Sequence, residues 1–247
     1  MTRHGLGVMI WASIAYVQAM PGTNSLCSNM AYPHPDTLKW LRYQTMHLLD
    51  NLHGASYGGH GQFGLERDMT ADLKDPWAGP RLQSFHFFSD ASLDGRSVGG
   101  GVGMLASGPI VAVRQRLALA SPDSHTSEVV AAGNNLSLLM PVNGVLQELG
   151  IRQGMATPFY LDSATTVFVA RSDTAVKKSV WLVRRALVLT EGVDQGEIEP
   201  MHVPEYNMLA DPFTKYLTLN VWKRHMHYLL NLEGPLPPRA TGGNRGA

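Results

Sequence analysis

The sequence predicts an α/β fold whose sheet is mixed: three antiparallel strands extended by two parallel ones, flanked by helices and preceded by a helical appendage. Two observations predict it. Three strand-like stretches follow one another through short turns, the aromatic Leu82 to Ser92, the glycine-dense Ser97 to Ala106 and the apolar Ile110 to Val113, which is the pattern of an antiparallel meander. Two further apolar runs, Pro158 to Leu161 and Ile198 to Val203, are each reached through helical sequence, and helical crossovers are what parallel strands require.

The elements follow in order. Arg3 and His4 precede the apolar run Gly7 to Ala19, which reads as a soluble helix or, alternatively, as a secretion signal cleaved after Ala19. It is too short and interrupted for a membrane span. From Asp36 to Leu52, Leu38, Leu41, Thr45, Leu48, Leu49 and Leu52 recur at helical spacing, with Asp36 as N-cap and Gly54 as stop. Residues 1–54 therefore form a helical segment. The Gly, His, Asp and Pro-rich stretch 55–80 is a linker, the main domain occupies 81–233, and 234–247 is a flexible tail. Within the main domain, His125 to Met140 is a helix and Val142 to Leu149 a second, shorter one. Ala164 to Ala170 and Asp173 to Glu191 are helical, as is Leu209 to Leu232 with a break near Lys215 to Thr218. The glycines from Gly99 to Gly103 lie inside a strand pattern, so they imply a bulge or close packing rather than phosphate binding.

Composition excludes several classes. With 44% hydrophobic residues over 247 positions the chain can bury a core. Twenty basic and twenty acidic side chains cancel, so any nucleic-acid site must be local rather than a bulk positive field. The single cysteine, Cys27, excludes an internal disulfide and a cysteine-based zinc site. No phosphate-binding loop, Gly-x-Ser-x-Gly elbow or His-Glu-x-x-His motif occurs.

Four acids stand out by position: Asp90 at the end of the first strand, Glu128 one turn into the following helix, Asp162 at the end of the fourth strand, and Asp211 in the last helical segment. Singly, each reads as a solvated acid or a helix cap. Jointly they read differently, because sites in open α/β sheets form at the carboxyl ends of strands. Carboxylates converging there repel unless cations lie among them, and hard oxygen ligands suit Mg²⁺ or Mn²⁺.

The order of several short strings resembles the ribonuclease H domain of copia-type LTR retrotransposon polyproteins. These are Ser89-Asp90-Ala91-Ser92, Gly108-Pro109-Ile110, His125 to Ala132 around Glu128, and Pro158-Phe159-Tyr160-Leu161-Asp162-Ser163. Asp194 to Ile198, His202-Val203-Pro204 and Leu209-Ala210-Asp211-Pro212-Phe213-Thr214-Lys215 complete the series. Ser163 stands where the family commonly has Asn, and the run from Val176 to Leu187 keeps the family's charge but not its polar pattern. The loop from Pro204 to Leu209 lacks the histidine that many ribonucleases H carry, and His202 on the preceding strand reads as a packing or edge residue. Residues 1–54 resemble the helical tail of the preceding reverse transcriptase, whose Tyr-x-Asp-Asp polymerase motif is absent.

The resemblance implies a ribonuclease H-like fold and an endoribonuclease that hydrolyses the RNA strand of RNA–DNA hybrids with two Mg²⁺ or Mn²⁺ ions. Asp90 would bridge both ions, Glu128 and Asp162 would complete the first ion's shell, and Asp211 the second's. Lys177, Lys178, Arg184 and Arg185, the densest basic cluster, are candidates for backbone contact, with a solvated helix face as the alternative. Expected partners are the hybrid and either a reverse transcriptase core or another protein subunit, with no membrane. A cytoplasmic or nuclear location is expected, and secretion is not. The alternative function is an inactive, co-opted module with a structural or binding role in a larger assembly.

Overall fold

The computed structural model describes residues 85–93, 97–105, 108–117, 123–149, 156–172 and 180–230. The readings made for residues 1–54, 55–80 and 234–247, and those for Lys177 and Lys178, lie outside the described residues.

Five strands form one sheet: β1 (His86–Ser92), β2 (Val98–Leu105), β3 (Gly108–Arg116), β4 (Thr157–Leu161) and β5 (Ile198–His202). Their order is β3-β2-β1-β4-β5. β1 pairs antiparallel with β2, and β2 with β3, while β1–β4 and β4–β5 are parallel. The helices are α1 (Ser124–Glu148), α2 (Ala164–Ala170), α3 (Val180–Asp194), α4 (Asp211–Thr214) and α5 (Leu219–Leu229), with a 3₁₀ turn at Glu205–Asn207. Three antiparallel strands extended by two parallel ones, with β1 at the centre, make this a ribonuclease H-like fold.

β2 explains how helices approach both faces of the sheet so closely. A Cβ on Gly99 would meet Ala131 of α1 at 3.1 Å, and one on Gly101 would meet Asn135 of α1 at 2.9 Å. On Gly100, between them, it would meet Phe213 and Thr214 of α4 at 2.9 and 2.6 Å. Alternation along a strand puts successive side chains on opposite faces, so α1 lies on one face and α4 on the other. The register between β2 and β3 shifts at Gly103/Met104, the bulge that the glycine run implied.

The core divides accordingly. Phe85, Phe87, Phe159 and Leu161 pack with Val129, Leu136 and Leu139 of α1 and with Leu182, Ala186 and Leu189 of α3. Phe88 and Tyr160 stack on the other face, ring centroids 4.7 Å apart. Burying one such aromatic contributes roughly 1.5–3 kcal/mol.

One expectation is corrected. The two helices read on either side of Pro141 are a single 25-residue helix, α1. Proline costs about 3 kcal/mol inside a helix. Here the buried face continues past it through Asn143 and Leu146, and the Asn143 amide donates to Thr157 Oγ1 at 2.9 Å. Tertiary packing on both sides of the proline outweighs the break. α1 is also long and apolar enough to cross a bilayer by length and composition, but Val129, Ala132, Leu136, Leu139 and Leu146 along it are buried in the core.

Candidate metal centre

Two paired strands place the first two acids. Ser89 and Leu161 are the last partners in the parallel β1–β4 ladder, so the residues that follow them, Asp90 and Asp162, lie side by side where that ladder ends; β1 itself runs on past Asp90 to Ser92 through its pairing with β2, rather than ending at Asp90 as read from the sequence. Asp90 pairs with Gly100 across β1–β2, and cross-strand partners share a face. Asp90 therefore points toward α4, where Gly100 leaves room for the helix.

Local sequence explains how α4 reaches this point. Pro212 opens the helix with a fixed φ at a position where a missing N–H costs nothing. The Phe213 amide donates to the Ala210 carbonyl at 3.0 Å and the Lys215 amide to Asp211 at 2.9 Å, closing a turn that turns Asp211, Thr214 and Lys215 together. Arg114 of β3 anchors the turn by donating from its guanidinium to the Phe213 carbonyl. Ser163 accepts from the Thr166 amide at 3.2 Å and caps α2, so the Ser-for-Asn departure preserves a capping residue beside Asp162.

The result is a close set of acids. Carboxylate oxygens of Asp90, Asp162 and Asp211, from three separate elements, lie within 4.8 Å of one another. Glu128 stands outside this set. It is buried in the first turns of α1, beyond the N-cap Asp123, where its carboxylate accepts from the Ala91 amide and feels the charges of Asp90 and Asp162. Thr214 Oγ1 donates a short hydrogen bond to Asp90 Oδ2. Lys215 Nζ lies 3.0 Å from Asp211 Oδ1, 3.5 Å from Asp90 Oδ1 and 3.9 Å from Asp162 Oδ2.

Burial dominates the electrostatics of all four acids, joined by the Asp90 charge at Glu128 and Asp211 and opposed by Lys215 at Asp90 and Asp162. Glu128 is pushed up to about 9, by burial first and then by Asp90 and Asp162. Asp211 is pushed up to about 8, again by burial and then by Asp90, with Lys215 opposing. Asp90 rises to about 6, because burial outweighs the Lys215 charge and the Thr214 hydrogen bond. Asp162 is raised by burial and by Glu205, against Lys215. For Lys215, burial acts to lower the pKa, but Asp90, Asp211 and Asp162 outweigh it and the ammonium is held well above its ordinary value.

The residues fit a divalent cation. Asp90 is fully buried, and its Oδ1 has no hydrogen-bond partner, only the Lys215 ammonium at 3.5 Å. A buried carboxylate oxygen left so, facing two further carboxylates, is the arrangement that hard cations satisfy. Acids that stay near-neutral without an ion would ionise beside one.

The basic cluster behaves differently. Arg184 is exposed and Arg185 half-buried on α3, which packs against α1, where Gly133 admits the Arg185 carbonyl at 3.7 Å from a Cβ position. Asp90 points to the other face of the sheet. His202 is an exposed edge residue at the end of β5, its ring nitrogen 3.0 Å from the Asp162 carbonyl oxygen. Sequence reasoning gave no role to Thr214, Lys215, Arg114 or Asn135, and placed Gly100 only within a run implying a bulge or close packing. Asn135 donates from α1 to Ser89 Oγ at 2.8 Å and to the Gly100 carbonyl at 2.9 Å, tying α1 to the strands behind Asp90. Thr214 and Lys215 were within the quoted Asp211-to-Lys215 string, the one signal that could have flagged them.

No protein-family model and no curated protein matches the sequence. Among solved structures, the chain is similar to LC11-RNase H1, isolated from compost by a metagenomic approach. That likeness has 16% identity and a TM-score of 0.44, covering 53% of this chain and 92% of the other. It is also similar to the N-terminal RNase H domain of rv2228c from Mycobacterium tuberculosis, a fusion with maltose-binding protein, at 15% identity and a TM-score of 0.41. There the match covers 53% of this chain and 89% of that one. What strand order and pairing give, independently of these likenesses, is the fold alone: a five-stranded mixed sheet in the ribonuclease H-like arrangement.

Proposed function

We propose that this chain is a metal-dependent endoribonuclease that hydrolyses the RNA strand of RNA–DNA hybrids, with Asp90, Glu128, Asp162 and Asp211 as its catalytic acids. The observation that carries the reading is the approach of three carboxylates, from β1, the end of β4 and α4, to within 4.8 Å around the buried Asp90. Isolated surface acids have no reason to converge in this way.

Asp90, Asp162 and Asp211 would hold the ions, with Glu128 completing the set from α1. Two bound Mg²⁺ or Mn²⁺ ions would supply activation of water and stabilisation of the leaving oxygen. The chain's own contribution is positioning. Thr214 fixes the orientation of the Asp90 carboxylate, Arg114 fixes the turn that carries Asp211, and Asn135 locks α1, and with it Glu128, to β1 and β2. Asp162 and Lys215 are the more exposed members, so substrate would approach from their side. Lys177, Lys178, Arg184 and Arg185 remain our candidates for contact with the nucleic-acid backbone. The order of the sequence strings supports a copia-type retrotransposon origin, with residues 1–54 as the tail of a reverse transcriptase, and a cytoplasmic or nuclear location follows from that origin.

A second reading, an inactive co-opted module, draws on Lys215, which offsets part of the acid cluster's charge without an ion. The test that separates the two is cleavage of a labelled RNA–DNA hybrid by the wild-type chain and by Asp90→Asn. Metal-dependent cutting that disappears in the variant supports the nuclease; a folded, inert wild type supports the module.

A further inference from the structure

We propose that Lys215 is a tethered counter-cation: its ammonium competes with divalent ions for the acid cluster and so sets the metal concentration at which the site fills. The inference rests on the reading of Asp90, Asp162 and Asp211 as metal ligands. Lys215 Nζ stands 3.0, 3.5 and 3.9 Å from oxygens of those same three residues, so it and an ion compete for one set of acceptors.

Three features suit it to leave. It lies just beyond the last residue of α4, at the start of the irregular stretch 215–218, so its side chain is not locked in a helix. Its side chain is 29% exposed, against 0% for Asp90 and 4% for Asp211, which gives the ammonium a path outward that the acids lack. A hydrogen bond of 3.0 Å ties it to Asp211 alone, while its other two contacts are longer ion pairs.

While it stays, it screens the carboxylates from one another. An arriving ion must push this charge away, which weakens binding relative to a site with a neutral residue at 215. Lys215 is thus a brake on metal uptake.

The test is titration of the full 247-residue chain with Mn²⁺ alone, followed by calorimetry and by electron paramagnetic resonance of the free ion. Wild type is compared with Lys215→Met and Lys215→Arg. The expected result is Mn²⁺ binding about tenfold tighter in Lys215→Met, the scale of one unit charge at this distance in a partly solvated site, with Lys215→Arg near wild type. Should Lys215→Met not fold, Lys215→Gln carries the same expectation. Equal affinity in wild type and the neutral variants would overturn the inference while leaving the metal reading intact. Weaker binding in the neutral variants would also overturn it, making the lysine a support for the acids. Absence of Mn²⁺ binding in every form would overturn the metal reading, and the inference with it.

Discussion

Replacing Glu128 by Gln is expected to stabilise the metal-free protein, and to do so more as pH rises. Glu128 is buried among acids and pushed from an ordinary 4.5 to about 9. At pH 7 the unfolded chain carries it as a carboxylate and the folded chain as a neutral acid, so folding takes up a proton. Holding a group protonated about 2.5 pH units above its ordinary value costs on the order of 3 kcal/mol. The sign follows from proton counts. Between about pH 4.5 and 9 the folded state binds the extra proton, so this residue removes roughly 1.4 kcal/mol of stability per pH unit of increase. Below that window the cost vanishes, and above it the loss is constant. Gln keeps the shape and can still accept from the Ala91 amide, but it has no charge to suppress. Urea unfolding in EDTA at pH 5, 7 and 8.5 measures the difference. Glu128→Gln should exceed wild type by about 3 kcal/mol at pH 7 and by less than about 1 kcal/mol at pH 5. A gain that ignores pH, or a loss at pH 7, would refute the burial-driven shift.

Three other expectations follow from the same geometry. Mn²⁺ affinity should rise with pH up to about 8–9, because Asp211 at about 8 and Glu128 at about 9 are protonated near neutrality and must lose protons to become ligands; calorimetry in buffers of different ionisation enthalpy should find proton release at pH 7. Gly100→Ala puts a methyl 2.6 Å from Thr214 and 2.9 Å from Phe213, so it should cost about 1–3 kcal/mol and weaken metal binding by displacing α4, which an unchanged melting curve would contradict. Asn135→Ala removes two buried hydrogen bonds and leaves the Gly100 carbonyl and Ser89 to find other partners, an expected loss of about 1–3 kcal/mol in denaturant unfolding.

The sheet was legible because its signals are local. Aromatic and apolar runs marked all five strands, and the glycines of β2 announced a bulge or close packing, of which both occur: the register shifts at Gly103/Met104, and α1 and α4 lie close against Gly99, Gly100 and Gly101. Asp90 and Asp162 were legible as a pair because strand ends in such sheets converge. Pro141 misled for the opposite reason: its local cost is visible in sequence, whereas the packing of Asn143 and Leu146 that offsets it comes from residues distant in the chain. Thr214 and Lys215 lay within a quoted string but had no visible site role, because their contacts with Asp90 span more than a hundred residues back to β1. The raised pKa values of Glu128 and Asp211 could not be read either, since burial is a property of the folded domain.

The most direct measurement of the central claim is strand-resolved cleavage of an RNA–DNA hybrid labelled on both strands, titrated with Mg²⁺ and Mn²⁺ and repeated in EDTA. The RNA strand alone should be cut, only with metal, leaving 5′ phosphates. A folded chain that binds Mn²⁺ yet leaves both strands intact at every metal concentration would contradict it.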